Sequence, residues 1–345
     1  MTDNTTPAFD VLAFGRVSMD LYPEQTGPFS EVASFAKSLG GSATNVAVAS
    51  ARLGRSAALV SGVGKDRPGA YVRTALAQFG VDDRFVTTHP TLHTPLVLAE
   101  LNPAEDPGLE FYRAPSAPDL HLDLGLPGLR ESLAQAAILW VTGTGLSVNE
   151  SFVPTLDAMK LHYVAAAAAA VDPTRAGRPT FTVLDLDWRP MLWPVGSNPR
   201  AKYSRALEHA NVVVGNRSEV AVALKLDEST LNHEQAAQLL LEAGAEIAIV
   251  KLGGDGVYVA TSTGDAELVP PTSVEVVCGL GAGDAFGGAL CDGLLSGLSP
   301  VEAVARASAA GAFVAGQLAC ADAMPTADQL EDFIDINSAR GSQHA

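Results

Sequence analysis

An α/β fold with a mostly parallel sheet covered by helices on both faces is what this chain of 345 residues predicts, on three observations. Short apolar runs alternate with segments of helical periodicity along most of its length, and strands separated by helices run parallel. Glycine, proline and asparagine punctuate the changes from one pattern to the other. Residues 89–125 break the rhythm with two strands and no helix between them, which predicts a small antiparallel flap added to the main layer.

Phe9 to Gly15 reads as a first buried strand, and residues 16–35, with Pro23, Gly27 and Pro28, as extended or loop structure outside the core. A helix from Ala43 carries Val46, Ala47, Ser50 and Leu53 on one face and stops at Gly54. Strand 57–61, helix 69–79 and strand 84–88 follow. The flap strands are Pro95 to Leu101 and Leu109 to Arg113, around Pro103 and Pro107. The alternation then resumes with strand 137–141, helix 150–164, strand 181–185, helix 201–208, strand 211–214, helices 217–224 and 233–243, and strand 247–251. Ala165 to Ala170 reads as a helix-forming surface segment. A hairpin, 256–260 with 267–269, leads to an apolar strand Val274 to Val277, a glycine turn, a helix through Phe286, Leu290 and Leu294, and two last helices at 300–318 and 326–335.

Hydrophobic content of 47% with 18% charged residues describes a globular protein large enough to bury a substantial core, expected as one domain over 1–345. A net charge of −17 argues against nucleic-acid or anionic-membrane partners, which need basic surface. Cys278, Cys291 and Cys320 have no zinc-like or disulfide-framework spacing. Met1 to Phe9 lacks a basic segment followed by an apolar one, and the most apolar stretch, Ala303 to Ala321, contains Arg306. A cytoplasmic protein with free thiols is expected.

Ligands of parallel sheets bind beyond the carboxyl ends of strands, which singles out the loops 15–20, 40–45, 185–189, 215–219, 253–256 and 279–284. In the last, Gly281, Ala282 and Gly283 let the free amides of a helix start approach an anion. Asp284 is out of place beside a phosphate unless it accepts a proton from the attacking group. An ordinary glycine loop with a good first-turn acid fits the same residues. Likewise Asp20, just past the first strand, suits either a buried acceptor for two sugar hydroxyls or a solvated loop acid.

Gly40-Gly41-Ser42-Ala43-Thr44-Asn45 opening a helix, followed much later by Gly281-Ala282-Gly283-Asp284 at another helix start, resembles the PfkB-type, ribokinase-like sugar kinases from about Phe9 to Pro325. The resemblance implies a three-layer α/β/α domain with a β-sheet lid over the sugar, ATP as donor and Mg²⁺. Segments 16–35 and 89–125 are where the lid belongs. It also implies an anion hole at Gly281, Ala282 and Gly283, Asp284 as base, and sugar contacts from Gly40, Gly41 and Asn45. Asn216-Arg217-Ser218-Glu219 is similar to the family's Asn-x-x-Glu motif, which helps hold Mg²⁺ and phosphate through water, although Asn216 and Glu219 equally fit a capping box. Lys251, Gly253 and Gly256 resemble the family's nucleotide-side turn, and alone would read as a hairpin turn.

Many members carry an Asp a few residues before Gly-Ala-Gly-Asp, and here Cys278-Gly279-Leu280 precedes it. That Asp belongs to the monovalent-cation site of some members, so potassium activation is left open. Arg113 and Arg189 sit in loops expected to converge on one pocket, where planar guanidinium groups would clamp a carboxylate. With Asp187 in the same Asp-x-Asp-x-Arg-Pro loop, they resemble the family members that act on ketodeoxy sugar acids. A homodimer through the lid strands is a further expectation. A dinucleotide-binding dehydrogenase is disfavoured, because Gly15-Arg16-Val17-Ser18-Met19-Asp20 is not Gly-x-Gly-x-x-Gly. A non-catalytic sugar-binding regulator would have no need to keep Asp284.

Overall fold

The computed structural model describes residues 8–25, 27–101, 108–170, 179–318 and 320–341. Met1 to Pro7, Pro103 and Pro107 lie outside them. In chain order the elements are β1 (Val11–Phe14), β2 (Ser18–Pro23), β3 (Phe35–Gly40), α1 (Ser42–Arg52), β4 (Ala57–Gly64), α2 (Arg67–Gln78), β5 (Val81–Asp82), β6 (Val86–His89), β7 (Leu96–Glu100) and β8 (Gly108–Tyr112). Then come α3 (Leu129–Gln135), β9 (Ile138–Thr142), α4 (Asn149–Ala170), β10 (Phe181–Asp185), α5 (Pro199–Leu207), β11 (Val212–Asn216), α6 (Arg217–Leu224) and α7 (His233–Glu242). β12 (Ile247–Lys251), β13 (Val257–Thr261), β14 (Ala266–Val269), α8 (Ala282–Leu295), α9 (Pro300–Ala315) and α10 (Ala327–Gly341) complete the chain.

The main sheet has the order β14-β13-β12-β11-β10-β9-β1-β4-β5, with β6 also paired to β4. It is parallel from β12 through to the β5 edge and antiparallel only in the β12-β13-β14 meander. Its central strands are buried on both faces, and their side chains alternate between two cores. Val11, Ala13, Ile138, Trp140, Ile247 and Ile249 pack toward α1, α2, α8 and α9. Leu12, Phe14, Leu139, Val141, Ala248 and Val250 pack toward α3 to α7. Helix, sheet and helix therefore make three layers, as the alternation requires.

A second sheet, β3-β2-β7-β8, lies off the main one. It differs from the expected two-stranded antiparallel flap in two respects. Residues 16–35, expected in the lid as extended or loop structure, form the strand β2 and begin β3 at Phe35, and β2 pairs with β7 in parallel, Asp20 opposite Val97. These lid strands are hard to read from sequence because no residue of β8 is fully buried and β3 buries a continuous half, Ser38 to Gly40, so neither buries alternate residues as a half-buried strand does.

Val274 to Val277, apolar and β-branched and so expected as a strand, is irregular. A strand needs a partner edge, and here the Val277 and Cys278 amides instead donate to the Ala315 carbonyl at the end of α9, at 2.8 and 3.1 Å. α3 escapes the periodicity because a helix of seven residues buries only Leu129, Ser132 and Leu133. No helix among the described residues is long and apolar enough to cross a membrane.

Candidate active site

Two helix starts meet at the carboxyl ends of the parallel strands. α1 begins at Ser42, just after Gly41, whose φ of 99° and close approach to the Arg16 carbonyl exclude a side chain. α8 begins at Ala282, after Gly281 in the left-handed region at φ 81°. The two helices pack almost backbone to backbone: a Cβ on Gly288 would lie 2.3 Å from the Ala49 Cβ. This contact brings the start of α1 against Asp284. Ser42 Oγ donates to Asp284 Oδ1 at 2.6 Å and Asn45 Nδ2 donates to Oδ2 at 2.8 Å. Burial pushes the Asp284 carboxyl above its usual range, while these two bonds and Arg189 pull it down.

The turn before α8 separates two cavities. One is narrow, about 70 Å³, and lies under the lid, with Arg16, Asp20, Gly41, Asn45, Arg189 and Asp284 among its walls. Asn45 Oδ1 is buried without a partner among the described residues, an acceptor on that wall. Asp20 accepts from Ser18 Oγ at 2.6 Å, and a Cβ on Gly40 would lie 2.1 Å from the Asp20 carboxylate, so Gly40 is what gives this acid its room. Burial pushes Asp20 up to about 6, against the bond from Ser18 and the charge of Arg16. Tyr22 Oη and Cys320 Sγ, 2.6 Å apart, close the far wall.

The second cavity, about 610 Å³, is bounded by Lys251, Gly253, Gly254 and Gly256, by Gly279, Ala282 and Gly283, and by Val276 with the small residues of α9. At the α8 start the first bond back is Ala285 N–H to the Gly281 carbonyl at 2.8 Å. The amides of Ala282, Gly283 and Asp284 therefore precede the helical ladder, as first-turn amides do. Lys251 Nζ lies 3.8 Å from where a Gly283 Cβ would be and 3.7 Å from Asp185 Oδ1. Burial would lower the Lys251 pKa, yet Asp185, Glu219, Asp187 and Asp284 together leave it raised. Asp185, buried among the same acids with Lys251 as counter-charge, is pushed up to about 7, burial being the largest cause.

Residues 8–327 match the model of the pfkB family carbohydrate kinases. The chain belongs to this family and is a sugar kinase. It is similar to 5-dehydro-2-deoxygluconokinase of Bacillus subtilis, 28% identical over 342 residues, covering 98% of this chain and 99% of that one. The enzyme of the same name from Photobacterium profundum is 31% identical over 329 residues, covering 94% and 95%. Among solved structures, the fructokinase from Xylella fastidiosa with bound ATP aligns at a TM-score of 0.78 and 25% identity, covering 95% of this chain and 98% of that one.

Measured against the residues that the pfkB motifs single out, the sugar-side cavity gathers Asp20, Gly41, Asn45, Gly281 and Asp284, with Gly40 packed behind Asp20. Lys251, Gly253, Gly256, Ala282 and Gly283 line the other cavity. Asn216 and Glu219 line neither. They form a full capping box at the start of α6, and Glu219 Oε1 also accepts from the Trp188 amide at 3.3 Å. Cys278 is buried near the turn.

Of the expected pair of clamping arginines, Arg113 faces an acid of its own. Its guanidinium is held by the buried Asp119, at 3.0 Å from Nη2 and 3.4 Å from Nη1, and it is absent from the cavity wall. Arg189 reaches the wall, held by Asp187 at 3.0 Å from Nε, and its pKa is raised, chiefly by Asp187. Asp187 itself stands behind the wall with φ at 31°. The second guanidinium on the wall is Arg16. Its position directly after the first strand was the available signal, since that loop is one of those a parallel sheet offers to ligands.

Proposed function

We infer that this sugar kinase transfers the γ-phosphoryl group of ATP to the terminal hydroxyl of a sugar acid. The acceptor we assign is 5-dehydro-2-deoxy-D-gluconate, giving its 6-phosphate, a step of myo-inositol catabolism. The observation that carries the reaction class is Asp284, suspended from Ser42 and Asn45 at the boundary between two cavities. The names of the relatives and the arginine-bearing sugar side support the acid.

In this reading the sugar lies under the lid with its hydroxyl against Asp284, and the phosphates of ATP lie along 251–256 and the α8 start. The hydroxyl oxygen attacks phosphorus in line, the bond to the bridging oxygen of ADP breaks, and Asp284 receives the hydroxyl proton. Ser42 and Asn45 orient that carboxylate and favour its ionised form against the opposing effect of burial. The amides of Ala282 to Asp284 and the Lys251 ammonium face the charge that develops on the transferred oxygens. Descent of the lid excludes water.

Mg²⁺ fits the hard oxygen donors nearby, Glu219 and Asp185; the Asp185 pKa is raised first by burial and then by the neighbouring acids Glu219, Asp187 and Asp284, against Lys251. Bound there, Mg²⁺ would supply charge neutralisation of the phosphates.

The test is ADP release with ATP and Mg²⁺ across a panel: 5-dehydro-2-deoxygluconate, 2-keto-3-deoxygluconate, fructose and ribose. The highest kcat/KM is expected on the first. A preference for 2-keto-3-deoxygluconate would move the assignment to the kinase of that acid, whose loops are similar. A preference for a neutral sugar would overturn the sugar-acid reading.

A further inference from the structure

Among the groups on the sugar-side wall, Arg16 is the one whose chemistry the phosphoryl-transfer reaction leaves unused. It leaves the carboxyl end of β1 at the root of lid strand β2, and its backbone is fixed from α1, where Thr44 Oγ1 donates to the Arg16 carbonyl at 2.8 Å. The side chain, 9% exposed, crosses from body to lid. Its guanidinium lies 5.5 Å from the centre of the Phe111 ring on β8. On the body side Nε donates to Thr144 Oγ1 at 3.1 Å. Nη1 and Nη2 make no hydrogen bond among the described residues, and their nearest anion is Asp187 Oδ2, 3.7 Å from Nη2.

Asp187 is itself divided. Its Oδ1 accepts from Arg189 Nε at 3.0 Å and its Oδ2 from Thr144 Oγ1 at 3.0 Å. One carboxylate thus faces two guanidinium groups. Their circumstances differ, since the Arg189 side chain is 45% exposed and can be completed by water, whereas the Arg16 side chain is 9% exposed and its fork lines the narrow cavity without a hydrogen bond among the described residues. A buried guanidinium with open donors is costly unless an anion arrives, and the anion matching its planar fork is a carboxylate or phosphate. Arg189 lowers the Asp284 pKa, and Arg16, which leads into the strand that carries Asp20, lowers that of Asp20.

We propose that Arg16 is the specificity-determining residue that binds the carboxylate of the acceptor, with Asp187 and Thr144 positioning its fork and Phe111 covering it. This rests on the sugar-acid reading above and replaces the paired clamp of Arg113 and Arg189. It separates two duties: recognition of the acid by Arg16, and electrostatic support of transfer by Arg189.

The experiment compares the full-length protein and its Arg16→Gln and Arg16→Lys variants, with saturating ATP and Mg²⁺, on 5-dehydro-2-deoxygluconate and on its C1 amide. Wild type should favour the acid. Arg16→Gln should lose about 10²-fold in kcat/KM on the acid, mainly through KM, as for a charged hydrogen-bonding pair, with the amide roughly unchanged. Arg16→Lys keeps the charge without the fork and should fall between. Equal losses on acid and amide, for Gln or, should that variant not fold, for Lys, would overturn the proposal and leave Arg16 a tie between lid and body. A wild type that uses the amide as well as the acid would overturn the sugar-acid reading and this inference with it.

Discussion

The two cavities flanking the α8 turn are built from different materials. The sugar side carries charged and polar side chains crowded out of water, Arg16, Asp20, Asn45 and Asp284, beside apolar Val97, Leu109, Phe111 and Leu280, with Ser18, Thr144 and Asp187 holding the charged groups in place. The nucleotide side is made of backbone and small residues, Gly253, Gly254, Gly256, Gly279, Ala282 and Gly283, with Lys251 as its charged wall residue. The contrast teaches where selectivity resides. Backbone amides bind any phosphate in the same way, whereas a wall of fixed side chains distinguishes one acceptor from another.

The largest break of this comparison should come from Lys251→Met. It removes the charged side chain from the backbone-built wall and leaves Asp185 without its counter-charge. A loss of about 10²-fold in kcat/KM for ATP is expected, with the sugar-acid KM little changed. An equal effect on both substrates would erase the division between the two sides.

Two glycines of one helix then test what small residues are for. A Cβ on Gly283 meets only Lys251 Nζ at 3.8 Å, so Gly283→Ala should stabilise the helix by about 0.5–1 kcal/mol while weakening ATP use. A Cβ on Gly288 meets Ala49 at 2.3 Å, and Gly288→Ala should cost about 1–3 kcal/mol. Thermal melts beside ATP kinetics check both. A destabilised Gly283→Ala with normal ATP kinetics would show that glycine serves packing there.

These glycines also mark what was legible in the sequence. The backbone-built side could be read from local motifs, because glycine at a helix start is a statement about the backbone beside it. The layered sheet was legible for the same reason, each buried strand being a local run. The side-chain wall was legible only in part. Asp20, Asn45, Arg189 and Asp284 fell in loops that a parallel sheet offers to ligands. Arg16 lay in the same loop as Asp20, but its ties to Thr144, 128 positions away, and to Asp187 are a convergence that no local pattern carries. Arg113, equally plausible in sequence, was captured by Asp119 six positions on.

The smallest effect concerns pH. Asp20, pushed up to about 6 by burial, binds its proton more tightly in the folded chain than in the unfolded one, where a carboxyl titrates near 3.8. Its contribution to stability is therefore full below 3.8 and is lost as pH rises through about 6. Asp20→Asn should remove this part of the decline, so that its thermal midpoint falls less than that of wild type as pH rises from 3.8 through about 6. Parallel profiles would mean that Asp20 is better solvated than its burial indicates.

The assignment of Asp284 as proton acceptor is tested most directly by Asp284→Asn, measured as the rate of ADP formation on 5-dehydro-2-deoxygluconate with ATP binding checked alongside. Asn can still accept from Ser42 but cannot take a proton, so turnover should fall by about 10²- to 10⁴-fold while ATP binding persists. Near-normal turnover in a folded, ATP-binding variant would contradict the account.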